Sequence, residues 1–126
     1  MYTALVLNDK SHLKLVEKMK HLIPEGWEVI AHHMTINIGN ISNGPLARFP
    51  KAVGTFETLI VSSWAIDDRV LAVGVEGVTP STNKIKHITI AVNRNGGGKP
   101  FHSNELTNWQ PISDPFSLRG QILEVK

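Results

Sequence analysis

His33-Met34-Thr35-Ile36-Asn37-Ile38, in the first half of the chain, is answered in the second half by His87-Ile88-Thr89-Ile90-Ala91-Val92. Both runs open on His-x-Thr-Ile and are otherwise mostly aliphatic. Successive side chains of a strand point to opposite faces, so His33 and Thr35 are expected on one face, with Met34, Ile36 and Ile38 on the other. The second copy has the same phase: His87, Thr89 and Ala91 against Ile88, Ile90 and Val92. Each strand would bury one face and present an imidazole and a hydroxyl from the other. Singly, such a triplet means little, because threonine is favoured in strands and a lone histidine is usually a hydrogen-bonded structural group. With 6 His in 126 residues, two in-phase copies both followed by isoleucine are not a chance expectation.

Outward from these strands the chain reads as alternating short elements. Tyr2 to Leu7 is an apolar strand, and a helix is expected over 11–22 with Leu13, Val16, Met19 and Leu22 on one face. Pro24-Glu25-Gly26 ends it, and 28–38 reads as one strand containing the first motif. A loop over 39–50 leads to a hairpin of strands 52–63 and 69–76 around Asp67-Asp68. A second loop precedes the second motif strand, 86–92. Asn93 to Pro100 reads as a flexible connection, 103–109 as a short helix, and 117–125 as the closing strand. The expected class is α+β, mainly antiparallel, in a single domain over 1–126. The internal repeat suggests two related lobes sharing a central cleft.

Length and composition fit one core: 126 residues, 41% hydrophobic and 19% charged. No apolar run approaches the length of a membrane span, and the first residues lack the basic flank of a secretory leader. Cysteine is absent, which removes disulfides, thiolate chemistry and cysteine-ligated metals. A cytoplasmic location is the default expectation. The net charge of +2 comes from scattered Lys and Arg, so no basic tail for nucleic acid is present.

Two imidazoles facing one cleft supply a general base and a general acid near neutral pH. For a phosphodiester, one takes a proton from attacking water and the other protonates the departing oxygen. Threonine hydroxyls two positions away can donate to the non-bridging oxygens, where negative charge grows. This scheme requires no metal or other cofactor. Zinc would need at least three converging ligands, and beyond the His32-His33 doublet no third has recognisable spacing.

The paired His33-Met34-Thr35-Ile36 and His87-Ile88-Thr89-Ile90 resemble the signature of the two-histidine (2H) phosphoesterases, the LigT-like superfamily. The order of elements is also similar to theirs. The resemblance implies a bilobal fold with a pseudo-twofold axis and a metal-independent phosphodiesterase acting on 2′,3′-cyclic phosphates or related nucleotides. It implies that His33 and His87 are the acid–base pair, and that Thr35 and Thr89 bind the phosphate. Within this class, an RNA end and a cyclic nucleotide or oligonucleotide signal, of the kind some viral members degrade, are rival substrates. A non-catalytic RNA- or nucleotide-binding module is the alternative from another class. No obligate protein partner is evident. The motif spacing, from 33 to 87, is a compact 54 residues, and no helix is evident before the second motif strand.

Other candidates are weaker. Asn93-Arg94-Asn95-Gly96-Gly97-Gly98-Lys99-Pro100 superficially suggests a phosphate-binding P-loop, but Asn93 and Pro100 stand where that motif needs Gly and Ser or Thr. As a mobile loop it could bring Arg94 or Lys99 to a substrate phosphate. His32 reads as a packing or edge residue, and His12 and His21 as solvated helix residues. His102 could enter the cleft, and Phe101 or Trp109 could stack on a base. Asn37 and Asn93 read as strand-end turn residues.

Overall fold

A computed structural model describes residues 1–126. Its elements in chain order are β1 (Tyr2–Leu7), α1 (Asp9–Met19), β2 (Glu28–Val29), β3 (His33–Ile38), β4 (Phe56–Ile66), β5 (Val70–Glu76), β6 (His87–Val92) and β7 (Gln110–Val125). Asn8 caps α1 by accepting from the Ser11 amide at 2.8 Å, and Asp9 complements the positive end of the helix. The buried line of α1 is Ser11, Leu15 and Met19, an i, i+4 stripe; Leu13, expected inward, is exposed. A 3-10 turn over Lys20–Leu22 finishes the helix before Pro24.

The strands form one antiparallel sheet in the order β2-β6-β3-β1-β7-β4-β5, and β5 pairs back onto β6. That last pairing closes six strands into a barrel, with β2 as a short appendage on β6. The barrel is filled by Leu5, Met34, Ile36, Leu59, Val61, Leu71, Val73, Ile88, Ile90 and Leu118, to which α1 adds Leu15 and Met19. A smaller cluster of Ala65, Val70, Ala72, Val92 and Leu106 lies on the other face of β5 and β6. The two motif strands are 54 residues apart in sequence, yet they are neighbours here, with Met34 opposite Ile88. The α+β, antiparallel expectation therefore describes the fold, whose two halves lie within one continuous sheet.

Three departures from simple alternation shape the site. First, 28–38 is two strands, not one. It breaks at Ala31, which is fully buried with a left-handed φ of 45°. A non-glycine residue holds such a conformation only when its surroundings fix it. Here the Ala31 amide donates to the Thr89 carbonyl at 3.0 Å and its carbonyl accepts from His12 Nδ1 at 2.8 Å. His12, expected to be solvated, thus braces the turn that leads into the first motif.

Second and third, each motif strand carries a bulge at the same place. Thr3 pairs with Asn37 and Ala4 with Thr35, which leaves Ile36 as the extra residue; Leu71 pairs with Ala91 and Ala72 with Thr89, which leaves Ile90 extra. A bulge resets the face that later residues occupy. Asn37 is therefore buried and Ala91 joins the main core, while Ile38 is exposed and Val92 turns to the smaller cluster. Ile38, Ala91 and Val92 thus lie on the faces opposite to those expected. The likeness extends to what crosses each bulge: the Ile36 carbonyl accepts from the Thr82 amide and the Ile90 carbonyl from the Ile30 amide.

The remaining boundaries shift for local reasons. β7 is longer than expected because its early part, despite Pro111 and Pro115, pairs with the end of β4 across an irregularity. The expected helix at 103–109 is a 3-10 segment over Pro100–Glu105, started by proline at its first position.

Candidate active site

His33, Thr35, His87 and Thr89 line one cavity of about 260 Å³, together with Tyr2, Ile30, Ile38, Thr82, Asn83, Pro100, Phe101 and Asn104. No Lys, Arg, Asp or Glu is among its walls. The antiparallel pairing at Met34 and Ile88 explains the convergence. One residue to either side of that rung, His33 comes beside Thr89 and Thr35 beside His87, all on the face opposite the barrel core. The bulge at Ile36 adds Ile38 to the same wall. Tyr2 stacks on the His33 ring at a centroid distance of 4.7 Å.

The two imidazoles are held differently. His87 Nδ1 lies 2.7 Å from the Ile85 carbonyl oxygen. A carbonyl can only accept, so Nδ1 carries the proton and Nε2 of the neutral ring is left as an acceptor. His33 Nδ1 instead lies 2.9 Å from Nδ1 of His32, an exposed residue. One proton serves both nitrogens. Burial, with the His32 and His87 rings nearby, pushes the His33 pKa from its ordinary 6.5 down to about 4. Burial lowers His87 as well, against the opposing effect of its bond to the Ile85 carbonyl. Both rings are therefore poised to be neutral in the free protein.

The threonines also differ. Thr89 Oγ1 is 2.8 Å from Ser103 Oγ, a fully buried hydroxyl on the 3-10 segment. Thr35 is held from behind, its carbonyl accepting from Ser81 Oγ at 2.7 Å. A second hollow of about 530 Å³ adjoins the first and shares Thr82, Asn83, His87 and Asn104 with it; Lys84, Thr107 and Trp109 complete much of its wall. Gly74 pairs with His87, and the Ser63 hydroxyl lies where its side chain would be; the Trp109 ring packs alongside, 6.4 Å from the His87 ring centre.

Arg94 and Lys99 are absent from both walls. Arg94 Nε donates to Glu28 at 2.8 Å, on the outer edge of β2. The glycine segment is a tied turn rather than a free loop. Asn93 donates from its backbone to the Arg69 carbonyl and from its side chain to the Asp68 carbonyl, and it caps the Gly96 amide. His102 stays out of the cavity, accepting from the Lys99 amide at 3.0 Å. Phe101 does line it, and Asn37, within β3, turns its side chain to the following turn, donating to the Ile38 and Asn40 carbonyls. Tyr2, Thr82, Asn83, Ser103 and Asn104 were not marked as site residues by the sequence, because only the tertiary fold brings them to the motifs. No three His, Asp or Glu side chains converge to hold a metal, and no helix is long and apolar enough to cross a membrane.

With this geometry, comparison with known proteins narrows the fold. No family model matches the chain, and no curated protein matches it. Among solved structures it is similar to a fungal RNA kinase, with a TM-score of 0.61 over 96% of this chain at 16% identity. The shared property is the fold. The match covers 44% of the kinase chain, so this chain spans less than half of that protein's length.

Proposed function

We propose that the protein is a phosphodiesterase of the two-histidine type that opens a cyclic phosphate on a nucleotide or RNA end. The observation behind this reading is the meeting of His33, Thr35, His87 and Thr89 on one cavity wall. In the reaction one imidazole takes a proton from water as its oxygen attacks phosphorus. The other protonates the ribose oxygen as the P–O bond breaks, and the threonine hydroxyls donate to the non-bridging oxygens. The fold likeness to a fungal RNA kinase is compatible with an RNA end as substrate. Because the cavity wall holds two imidazoles and no carboxylate, turnover is expected to survive chelation.

The hollow of about 530 Å³ beside His87 favours a second reading of the substrate, an oligonucleotide with a base beyond the reacting phosphate, including a cyclic oligonucleotide signal. A panel decides: RNA with a 2′,3′-cyclic phosphate end, nucleoside 2′,3′-cyclic phosphates, and cyclic di- and trinucleotides, with the product phosphate position identified. His33→Ala and His87→Ala should each lower turnover by about a hundredfold or more while ligand affinity stays within about tenfold. Full activity in either variant would end the reading. Binding without turnover in the unaltered protein would leave a nucleotide-binding module instead.

A further inference from the structure

The two histidines proposed above as an acid–base pair are not equivalent, and the difference lies in a third. His87 has a backbone carbonyl on Nδ1, at 2.7 Å, which fixes its tautomer. His33 has the Nδ1 of an exposed imidazole there, at 2.9 Å. We infer that His32 is a positioning residue and proton relay that makes His33 the general acid and leaves His87 as the general base. The inference rests on the phosphodiesterase reading and deepens it.

The argument starts from proton counting. With Nδ1–H donated to Ile85, the neutral His87 ring offers only a lone pair at Nε2. A cleft that must both remove and deliver a proton needs its donor elsewhere, and His33 is the other imidazole in it. When His32 Nδ1–H donates to His33 Nδ1, the neutral His33 ring carries its proton on Nε2. During turnover, the His33 Nε2–H bond breaks as the proton passes to the leaving ribose oxygen. In the same event the proton on His32 Nδ1 moves to His33 Nδ1 and water protonates His32 Nε2, so His32 stays neutral. His87 Nε2 holds the proton lost by the attacking water; after product leaves, that proton passes through cleft water to His33 Nε2, and the reverse shift through His32 returns one proton to solvent. Every proton delivered is thus matched by one taken up, and the buried His33 ring never holds two protons at rest.

The surroundings suit a relay. Tyr2 of β1 stacks on His33, His87 of β6 faces it, and the 77–84 loop brings Thr82 and Asn83. His12 of α1 is engaged with the Ala31 carbonyl, one residue before His32. No carboxylate or ammonium lines the cavity, so His32 is the ring placed to exchange protons between solvent and His33. The turn at Ala31 holds the doublet in this arrangement: at its left-handed φ the chain leaves β2 and re-enters the sheet with His32 outward and His33 inward.

The test pairs a spectroscopic readout with a leaving-group comparison. Imidazole ¹⁵N spectra near neutral pH should show His33 protonated on Nε2 and His87 on Nδ1 in the unaltered protein. A His33 ring protonated on Nδ1 would overturn the relay, whether or not any substrate is turned over. For activity, uridine 2′,3′-cyclic phosphate expels an alkoxide that needs an acid, whereas a nucleoside 4-nitrophenyl phosphate expels a stable phenolate. His32→Ala should lower kcat on the cyclic phosphate about ten- to a hundredfold, with KM little changed and the acidic limb of the pH profile displaced. Its loss on the aryl ester should be far smaller. His32→Asn, which keeps an N–H donor but cannot exchange protons with water, should restore the His33 tautomer and not the lost rate. Equal loss on both esters, or none on either, overturns the inference. If the unaltered protein hydrolyses neither these esters nor any member of the substrate panel above, the phosphodiesterase reading falls and the ¹⁵N result still decides the arrangement of the three rings.

Discussion

At the scale of single residues, the physics of the site is the cost of charging a buried imidazole. His33 is held near pKa 4, against 6.5 for an ordinary histidine, and His87 is shifted in the same direction. Between those two values an unfolded chain takes up protons that the folded one refuses. Stability is therefore complete above about pH 6.5 and declines as the pH falls toward 4, by about 2–3 kcal/mol for His33 alone. Urea denaturation at pH 7 and pH 4.5 should show this loss, and His33→Ala should flatten it. An unchanged midpoint in the unaltered protein would mean that His33 is more hydrated than the cavity suggests.

At the scale of elements, period-2 reading located both motif strands and the His and Thr residues that share a cavity wall, because these precede each bulge. It failed after Ile36 and Ile90, where one extra residue swaps the faces and no local composition marks the change. The break at Ala31 was equally hidden, since alanine gives no sign of a left-handed turn imposed by His12 and Thr89 from other elements. The glycine segment was misread for the opposite reason. Its composition suggests mobility, but backbone bonds to the β4–β5 turn tie it down. A Cβ on Gly98 would run into the Arg69 and Asn93 carbonyls. Gly98→Ala should therefore cost about 1–3 kcal/mol in thermal or urea unfolding, as overpacking against backbone does. Arg94→Ala removes only an exposed ion pair with Glu28 and should change stability by less than about 1 kcal/mol. Turnover should stay within about twofold, and a tenfold loss would put Arg94 on the substrate after all.

At the scale of the whole molecule, closing the sheet is what makes a site out of two distant tetrapeptides. The β5–β6 and β3–β6 pairings fix the second motif strand from both sides, and the core fills the barrel behind it. The cavity face of the motifs is thus built on rigid strands, while the loop at 77–84 and the 3-10 segment at 100–105 supply further walls. This arrangement has an electrostatic consequence. The net charge of +2 is dispersed, the main cavity has no cationic wall, and Lys84 is the one cation lining the adjoining hollow. Proteins that track a nucleic-acid backbone neutralise several phosphates, and single-strand binding weakens with salt by about 0.7 log units per contact for each decade of concentration. Here the geometry supports about one such contact. A plot of log(kcat/KM) against log salt, for an RNA bearing a cyclic phosphate end, should have a slope no steeper than about −1. Lys84→Ala should flatten it further. A slope of about −3 would mean that a longer strand lies across the surface outside the cavity, and that recognition extends well beyond the cavity the two threonines line.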